Sequence, residues 1–465
     1  MSGLMSLMRG VRQAADQTPA DRNRHVDMLR AFAITVVVLG HWLAIVVWTN
    51  DGIDGHSALE YLEWARPVTW AAQVMPLFFL VGGYANGASL TSHFQRGGDN
   101  AGWLLSRSAR LLRPTSTFLV ILAAAGLTAR LLGADPGVVA LAVWGASIPL
   151  WFLAAYSSLV FLAPFLYAAH RRFGLAFPAA VVVVVLLLDV ARIGLEVPVI
   201  GDANYLLVWL VYHQIGLAWQ DGSFAIRPAM FSGLAAAGIA VLVGITAFGP
   251  YPISMVVVPG AEAQNTSPPT FALLLLGLVQ TAVVLALSGP ANRFLQRAGP
   301  WRAVVAVNAF ILTMFLWHMG SAVIASAALY TTGIFPQVEV DSAQWLLLRL
   351  PWLAVCAVIL AVFVSLFASI ENKGTGERKG RTVGNADVLA RLRLPGWSWQ
   401  AMTGLGIVGV MVGLLTIANA GRSDEHITGL APTAIIFYLL GAGLLRLARH
   451  YHTTSRESAD TSSGS

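Results

Sequence analysis

Residues 24–48 read RHVDMLRAFAITVVVLGHWLAIVVW, an apolar run that carries Arg30 and, eleven residues later, His41. At about 100° per residue, eleven residues make three helical turns plus about 20°, so a helix places both side chains on one face. Asp27 falls within about 40° of the same stripe. His41 would lie about 16 Å from Arg30 along the axis, near the middle of a bilayer about 30 Å thick. An ionisable residue at that depth is costly unless it faces protein or water, so we interpret these three residues as candidate catalytic groups.

The composition predicts an all-α polytopic membrane protein. The chain is 57% hydrophobic and 11% charged, with a mean hydropathy of +0.69, whereas about a quarter of the residues of a soluble domain are charged. The formal net charge of +6 is better explained by membrane topology than by nucleic acid, so we expect no nucleic-acid partner. The chain has a single cysteine, Cys356, which excludes an intramolecular disulfide and a metal site built from several cysteines. Cys356 lies in an apolar run. We expect no bound metal or cofactor.

Twelve apolar stretches are long enough to cross a bilayer. If the sides alternate from a cytoplasmic N-terminus, 24 of the 29 basic residues fall inside and 5 outside. This asymmetry follows the positive-inside rule and predicts a multi-pass protein of the plasma membrane with both termini cytoplasmic. The predicted spans are 29–48, 68–90, 114–133, 150–169, 177–195, 204–220, 229–248, 270–289, 303–330, 345–368, 402–419 and 432–448.

The loops divide the chain into five predicted segments. The N-terminal segment and the long basic loop are both assigned to the cytoplasm, and the low-complexity end of the chain is predicted to be a disordered cytoplasmic tail. The segments are the N-terminal segment 1–25, a ten-helix core 26–370, the basic loop 371–401, two additional transmembrane helices 402–448, and the tail 449–465.

The second predicted span contains MPLFFLVGGYANGAS. Gly82 and Gly83 allow close backbone approach, and Tyr84 and Asn86 add polar groups just beyond them. Two interpretations stay open, a substrate groove and tight helix packing.

The next inner segment ends in SRSARLLRPT, which places Arg107, Arg110 and Arg113 at three-residue spacing before Pro114. Such an arginine ladder offers several donors to phosphate groups. A simple positive-inside anchor is the alternative interpretation.

Two later spans add candidate residues. One begins LWFLAAYSSLVFLAPFL and includes Trp151; the other contains FILTMFLWHMG with His318. His213 is a third intramembrane histidine. Each of these histidines alone is more often a packing residue than a functional one.

Taken together, these segments resemble the acyltransferase 3 family of integral membrane proteins over about residues 24–370. The residues that carry the resemblance are the RxxDxLRAxA pattern followed by His41, then FFLVGGY, the Arg-x-x-Arg before Pro114, the LWFL-to-Pro164 stretch and LWH at His318. The resemblance implies transfer of an acyl group, usually acetyl from acetyl-CoA, to a hydroxyl of an envelope glycan or glycolipid. The Ala-, Val- and Arg-rich composition is similar to that of actinobacterial members.

The resemblance also implies roles for the candidate residues. His41 would be the base or the acyl-accepting nucleophile, since histidine can supply both near neutral pH. Arg30 would hold the donor, and Asp27 would orient Arg30 or a helix start. Acyl-CoA would be a co-substrate rather than a bound cofactor, and its phosphates would bind Arg107, Arg110 and Arg113. The substrate groove would include Gly82, Gly83, Tyr84, Asn86, Trp151 and His318.

Two other function classes suit parts of the sequence. Twelve helices with intramembrane histidines also suit a proton-coupled transporter or exporter of an envelope precursor. However, the first-helix pattern has no second copy, and the inner link after the sixth span is only about residues 221–228. The third hypothesis is a noncatalytic partner of a cell-wall complex, in which the histidines are packing residues.

Overall fold

The chain is described here by a computed structural model, which covers residues 10–19, 22–49, 52–372, 398–422 and 424–463. Within these residues the regular secondary structure is helical apart from one two-stranded hairpin, β1 (Ile45–Trp48) and β2 (Asp54–Ser57). The all-α prediction is therefore confirmed. The first nine helices are α1 (Arg24–Ala44), α2 (Ala58–Tyr61), α3 (Thr69–Ala72), α4 (Met75–Gln95), α5 (Asn100–Leu131), α6 (Pro136–Ser147), α7 (Leu150–Phe173), α8 (Ala176–Asp189) and α9 (Asn204–Gln220). The others are α10 (Pro228–Ala247), α11 (Phe271–Ala286), α12 (Ser288–Phe294), α13 (Ala298–Asn308), α14 (Ile311–Tyr330), α15 (Ala343–Asn372), α16 (Ser398–Asn419) and α17 (Pro432–Ser463).

Local sequence signals fix several helix starts. The Asp99 side chain accepts a hydrogen bond from the backbone N–H of Gly102 at the start of α5, and Asp135 does the same for Val138 at the start of α6. Both aspartates satisfy backbone donors that a helix start leaves without partners, and each also complements the positive end of the helix dipole.

Most of the predicted spans correspond to long apolar helices. Among the described residues, ten helices are long and apolar enough to cross a membrane, or eleven if the bent pair α11 and α12 forms one span. The predicted span 204–220 is the 17-residue helix α9, about 26 Å long at 1.5 Å per residue and thus shorter than a typical hydrocarbon core. Ten or eleven of the twelve predicted spans thus correspond to helices of sufficient length and hydropathy, and α9, with 17 residues, lies at the lower limit of spanning length.

Two helix boundaries also differ from the prediction. The first helix ends at Ala44 rather than residue 48, because β-branched Ile45 to Val47 pair with β2 as a strand. His41 consequently lies in the last turn of α1 and not at its middle.

Helix α5 begins at Asn100 rather than at Pro114, which lies inside it. Arginine is a good helix former with a long apolar stem, so the ladder extends the helix instead of preceding it.

The C-terminal end of the chain is also more helical than predicted. Helix α17 continues to Ser463, so residues 449–463 are helical where composition predicts a disordered tail. Extending an existing helix avoids the cost of nucleation, and neither glycine nor proline occurs between Gly443 and Gly464. The predictions for the basic loop fall mostly on residues 373–397, outside the described residues.

The chain forms two compact units. The first combines Met1–Thr91 with Leu162–Ile359, and the second combines Ser92–Phe161 with Leu360–Ser465. The five segments inferred from the sequence stay a prediction.

Within the first unit, α4 and α9 touch through their backbones. A Cβ placed on Gly83 would lie 1.9 Å from the His213 carbonyl oxygen, and one on Gly216 would lie 2.0 Å from the Leu80 carbonyl oxygen. Real side chains cannot occupy these positions. Reciprocal glycines of this kind let two membrane helices approach closely, where dispersion forces replace the hydrophobic driving force.

Gly83→Ala is therefore expected to destabilise the protein, because overpacking costs about 1–3 kcal/mol. Gly233→Ala in α10 is the matched control: no atom lies within 4 Å of its added Cβ, and alanine favours helix more than glycine. Thermal unfolding of the two variants in the same detergent measures the difference. Equal melting temperatures for both variants would refute the close contact.

Candidate active site

His41 and His318 meet inside the first unit. His41 Nδ1 lies 3.0 Å from His318 Nε2, and the ring centroids are 5.0 Å apart. His318, on α14, is fully buried, whereas His41 is half-buried. A group outside the protein core can therefore reach His41, and His318 stands behind it.

The hydrogen bonds around the pair determine where the ring protons lie. His318 Nδ1 is 2.7 Å from the Phe315 carbonyl oxygen, which can only accept, so this nitrogen carries hydrogen. A neutral imidazole has one N–H, and His318 Nε2 is then an acceptor that receives a hydrogen bond from His41 Nδ1. In the neutral form His41 Nε2 then carries the lone pair that a base or nucleophile requires, and the His41 ring also hydrogen-bonds to the Val37 backbone.

Two buried tryptophans and a serine hold the backbone around the pair. The Trp42 indole N–H donates to the His318 carbonyl at 2.9 Å, and the Ser321 hydroxyl donates to the same carbonyl at 2.6 Å. The Trp352 indole donates in turn to the Trp42 carbonyl at 2.7 Å. These bonds fix α1 against α14. Sequence reasoning missed Trp42, Trp352 and Ser321; a tryptophan next to each candidate histidine was the available signal, since a buried indole N–H needs an acceptor.

Asp27 does not orient Arg30. Its carboxylate accepts two hydrogen bonds from Arg22, at 2.6 Å from Nε and 2.9 Å from Nη2. This pair raises the pKa of Arg22 and fixes the first turn of α1, where an acidic side chain also suits the helix dipole. Arg30 is half-buried and has no side-chain partner among the described residues.

The predicted groove residues of α4 are largely packing residues in this structure. Gly83 contacts the α9 backbone as described above, and Gly82 is buried. Asn86 and His213 are both buried, with Asn86 Nδ2 3.1 Å from His213 Nε2. Tyr84 packs edge-on against a tryptophan of α9. The groove role of these residues stays a prediction.

The arginine ladder and Trp151 belong to the second unit. Arg107 is half-buried over the Trp103 ring, 5.9 Å from its centroid, while Arg110 and Arg113 are exposed on α5. Trp151 is 36% exposed on α7. The structure thus brings His41 together with His318, and it places the ladder and Trp151 in a different unit.

No group of three or more His, Cys, Asp or Glu side chains that could hold a metal ion occurs in the part of the chain that the structure describes.

Comparison with known proteins gives one match. The family model of acyltransferase 3, described as an acyltransferase domain, matches residues 23–370. The match includes α1 with His41 and α14 with His318. No curated protein and no solved structure matches the chain.

The hydrogen-bond chain predicts that His41 and His318 are both protonated at Nδ1 in their neutral forms. Solid-state ¹⁵N NMR of histidine-labelled protein in lipid reports this tautomer directly, with His41→Gln and His318→Gln identifying the signals. We further expect His318→Gln to change the His41 ring signals, and His213→Gln to leave them unchanged. Protonation of His41 at Nε2 would contradict the derived orientation.

Proposed function

Because the chain belongs to the acyltransferase 3 family, we propose that this membrane acyltransferase moves an acetyl group from acetyl-CoA to a hydroxyl of an envelope glycan or glycolipid. The observation that carries the proposal is the His41–His318 pair, with its Nε2 lone pair on a half-buried ring. The acyl donor binds on the cytoplasmic side of the plasma membrane and the acceptor enters from the other side, in keeping with the distribution of basic residues.

His41 has two chemically complete routes to the product. As a general base, Nε2 takes the acceptor hydroxyl proton while the hydroxyl oxygen attacks the thioester carbonyl. A C–O bond forms, the C–S bond breaks, and the departing thiolate takes the proton from His41. As a nucleophile, Nε2 attacks the thioester carbonyl, so that a C–N bond forms, the C–S bond breaks and CoA leaves as the thiolate. The acceptor hydroxyl oxygen then attacks the acetyl carbon, a C–O bond forms, the C–N bond breaks, and the hydroxyl proton passes by way of the released imidazole to the CoA thiolate. Trapping of an acetylated protein after mixing with acetyl-CoA alone distinguishes the second route from the first.

His318 is a positioning residue in both routes. Its Nε2 accepts from His41 Nδ1, which holds the ring orientation. When proton transfer charges His41, the imidazolium still donates to the same acceptor, so the contact persists through the reaction. Phe315 fixes the His318 tautomer through its carbonyl oxygen.

The arginines supply the donor-binding groups. Arg110 and Arg113 are exposed cations that suit the phosphates of CoA, because a guanidinium binds phosphate oxygens bidentately. Arg30 lies three turns before His41 on the same face of α1 and has no partner among the described residues, so it is a further candidate contact for the donor. Asp27 acts indirectly, through its bond to Arg22 at the start of α1.

His41→Ala is expected to lower kcat by about 10² to 10⁴, because it removes the base or nucleophile. Release of CoA and transfer to acceptor in purified protein, measured in lipid, test this. His450→Ala, which removes an imidazole outside residues 23–370, should retain activity and the same detergent stability. Near-normal transfer by His41→Ala would reject the assignment of His41.

Replacing Arg110 or Arg113 with alanine is expected to raise the dissociation constant for acetyl-CoA about ten- to a hundredfold, since a charge-assisted contact is worth roughly 1.5–3 kcal/mol. Lysine should restore part of the affinity, because it keeps the charge and loses the bidentate geometry. Arg227→Ala, at another exposed arginine, is the control. If alanine and lysine variants all bind acetyl-CoA like the parent protein, the ladder serves only as a topology anchor.

A further inference from the structure

The loop between α16 and α17 packs closely against two other helices of the second unit. Both helices that it joins lie outside the residues that match the family. A Cβ placed on Gly126 of α5 would overlap the Thr428 carbonyl oxygen, and one placed on Gly429 would lie 2.8 Å from the Val143 Cβ on α6. Gly429 also has a φ of +72°, which favours glycine. The loop is therefore seated on α5 and α6 at positions where no side chain fits.

This packing leaves a cavity of about 220 Å³ at the end of α16. One wall is formed by Trp144 of α6, and the Arg422 guanidinium carbon lies 5.1 Å from the centroid of its ring. A cation at this distance is attracted by the electron-rich face of the indole. Arg422 is exposed, so its charge is also accessible from outside the protein. Apolar side chains, among them Ile417, Leu430 and Ala431, line much of the remaining wall. The cavity thus combines an apolar wall with an accessible cation.

An open groove continues from the cavity along α16. The residues that line it are Val412, Leu415, Thr416, Asn419 and Ala420. The first four lie on one face of the helix, because positions three, four and seven residues apart share a face. Ala420 also lines the cavity, so the groove and the cavity adjoin. Val412 and Leu415 are exposed hydrophobic side chains, and the helix rises about 10 Å between Val412 and Asn419.

The cavity and the groove together match the two parts of a phospholipid. Helix α16 is long and apolar enough to cross a membrane, so a groove along it suits an acyl chain, and the loop at its end lies at the level of the headgroups. A phosphate suits Arg422, because a guanidinium binds phosphate oxygens in bidentate pairs. Asp424 and Glu425 of the same loop are exposed, and neither is among the described residues that line the cavity. An anion in the cavity therefore meets the guanidinium and not these carboxylates.

We propose that the cavity and the groove, which we name the α16 lipid site, bind one phospholipid molecule. Its phosphate contacts Arg422 beside the Trp144 ring, and one of its acyl chains lies in the groove over Val412 and Leu415. The site does not depend on the proposed function. It gives the two helices outside the matched residues a role, because they hold a lipid against α6, which lies within those residues.

The test titrates the full-length, delipidated protein in detergent with phosphatidylglycerol and follows the lipid-bound species by native mass spectrometry. Arg422→Gln is expected to weaken binding about tenfold, as one lost charge-assisted contact does, and Arg422→Lys is expected to weaken it less. Arg66→Gln is the matched control, because Arg66 is also assigned to the outer side and does not line the site. Diacylglycerol with the same acyl chains lacks the phosphate, and it should bind the parent protein and Arg422→Gln alike.

A second variant, Val412→Trp, tests the groove, because the larger side chain fills the space of the acyl chain. It should weaken binding of both lipids, whereas Leu440→Trp, at an exposed position of α17 outside the groove, should not. Equal binding of phosphatidylglycerol by the parent, Arg422→Gln and Val412→Trp overturns the site, since the lipid then belongs to the unspecific layer around the protein. An effect of Arg422→Gln alone overturns the phospholipid assignment in favour of a small anion. An effect of Val412→Trp alone overturns it in favour of a neutral lipid.

Discussion

The hydrogen bond from His318 to the Phe315 carbonyl determines the chemistry of the candidate site. A backbone carbonyl has no hydrogen to give, so this 2.7 Å contact sets the proton on one nitrogen of His318 and the lone pair on the other. His41 must then donate from Nδ1 to His318 and carry its own lone pair on Nε2. A side-chain acceptor could change its protonation or rotate, whereas a helix carbonyl is held by its own backbone. The orientation of the reactive ring is therefore inherited from the secondary structure of α14.

Helix α1 is held at both ends by bonds to its neighbours. At its start, Asn308 donates to the Asp27 carbonyl at 2.8 Å, and Arg24 donates to the Leu295 carbonyl at 2.7 Å. At its end, Trp42 and Trp352 form the bonds around the histidines, and Arg349 donates to the Ile45 carbonyl at 2.9 Å. Such contacts reduce the conformational freedom of the backbone that carries His41 before any substrate binds. Preorganisation of this kind is a general requirement for an efficient base.

The sequence was sufficient for features that depend on local periodicity. The helical phase of Arg30 and His41 follows from counting residues, and α1 is indeed one continuous helix. It was not sufficient for the pairing of His41 with His318, which are separated by 277 residues and give no local signal of contact. The same holds for Gly83, whose partner backbone lies on α9. The ladder was placed in a loop because charged residues lower mean hydropathy, although arginine favours helix and extends along it. Asp27 has candidate cations on either side in the sequence, and only the path of the chain before α1 selects Arg22.

Ending the histidine chain at a backbone carbonyl has a consequence for the membrane itself. Titratable groups joined by hydrogen bonds inside a bilayer can pass protons from one to the next. A continuous chain of such groups across the membrane would let protons leak down the electrochemical gradient. His318 Nε2 can accept a proton from His41, but the Nδ1–H of His318 bonds to the Phe315 carbonyl oxygen, and an amide oxygen in a helix does not pass a proton onward. The hydrogen-bonded chain from His41 through His318 therefore ends at the Phe315 carbonyl oxygen. A proton taken up by the His41–His318 pair therefore has no described route past Phe315, so a base at this position does not by itself open a proton path across the membrane.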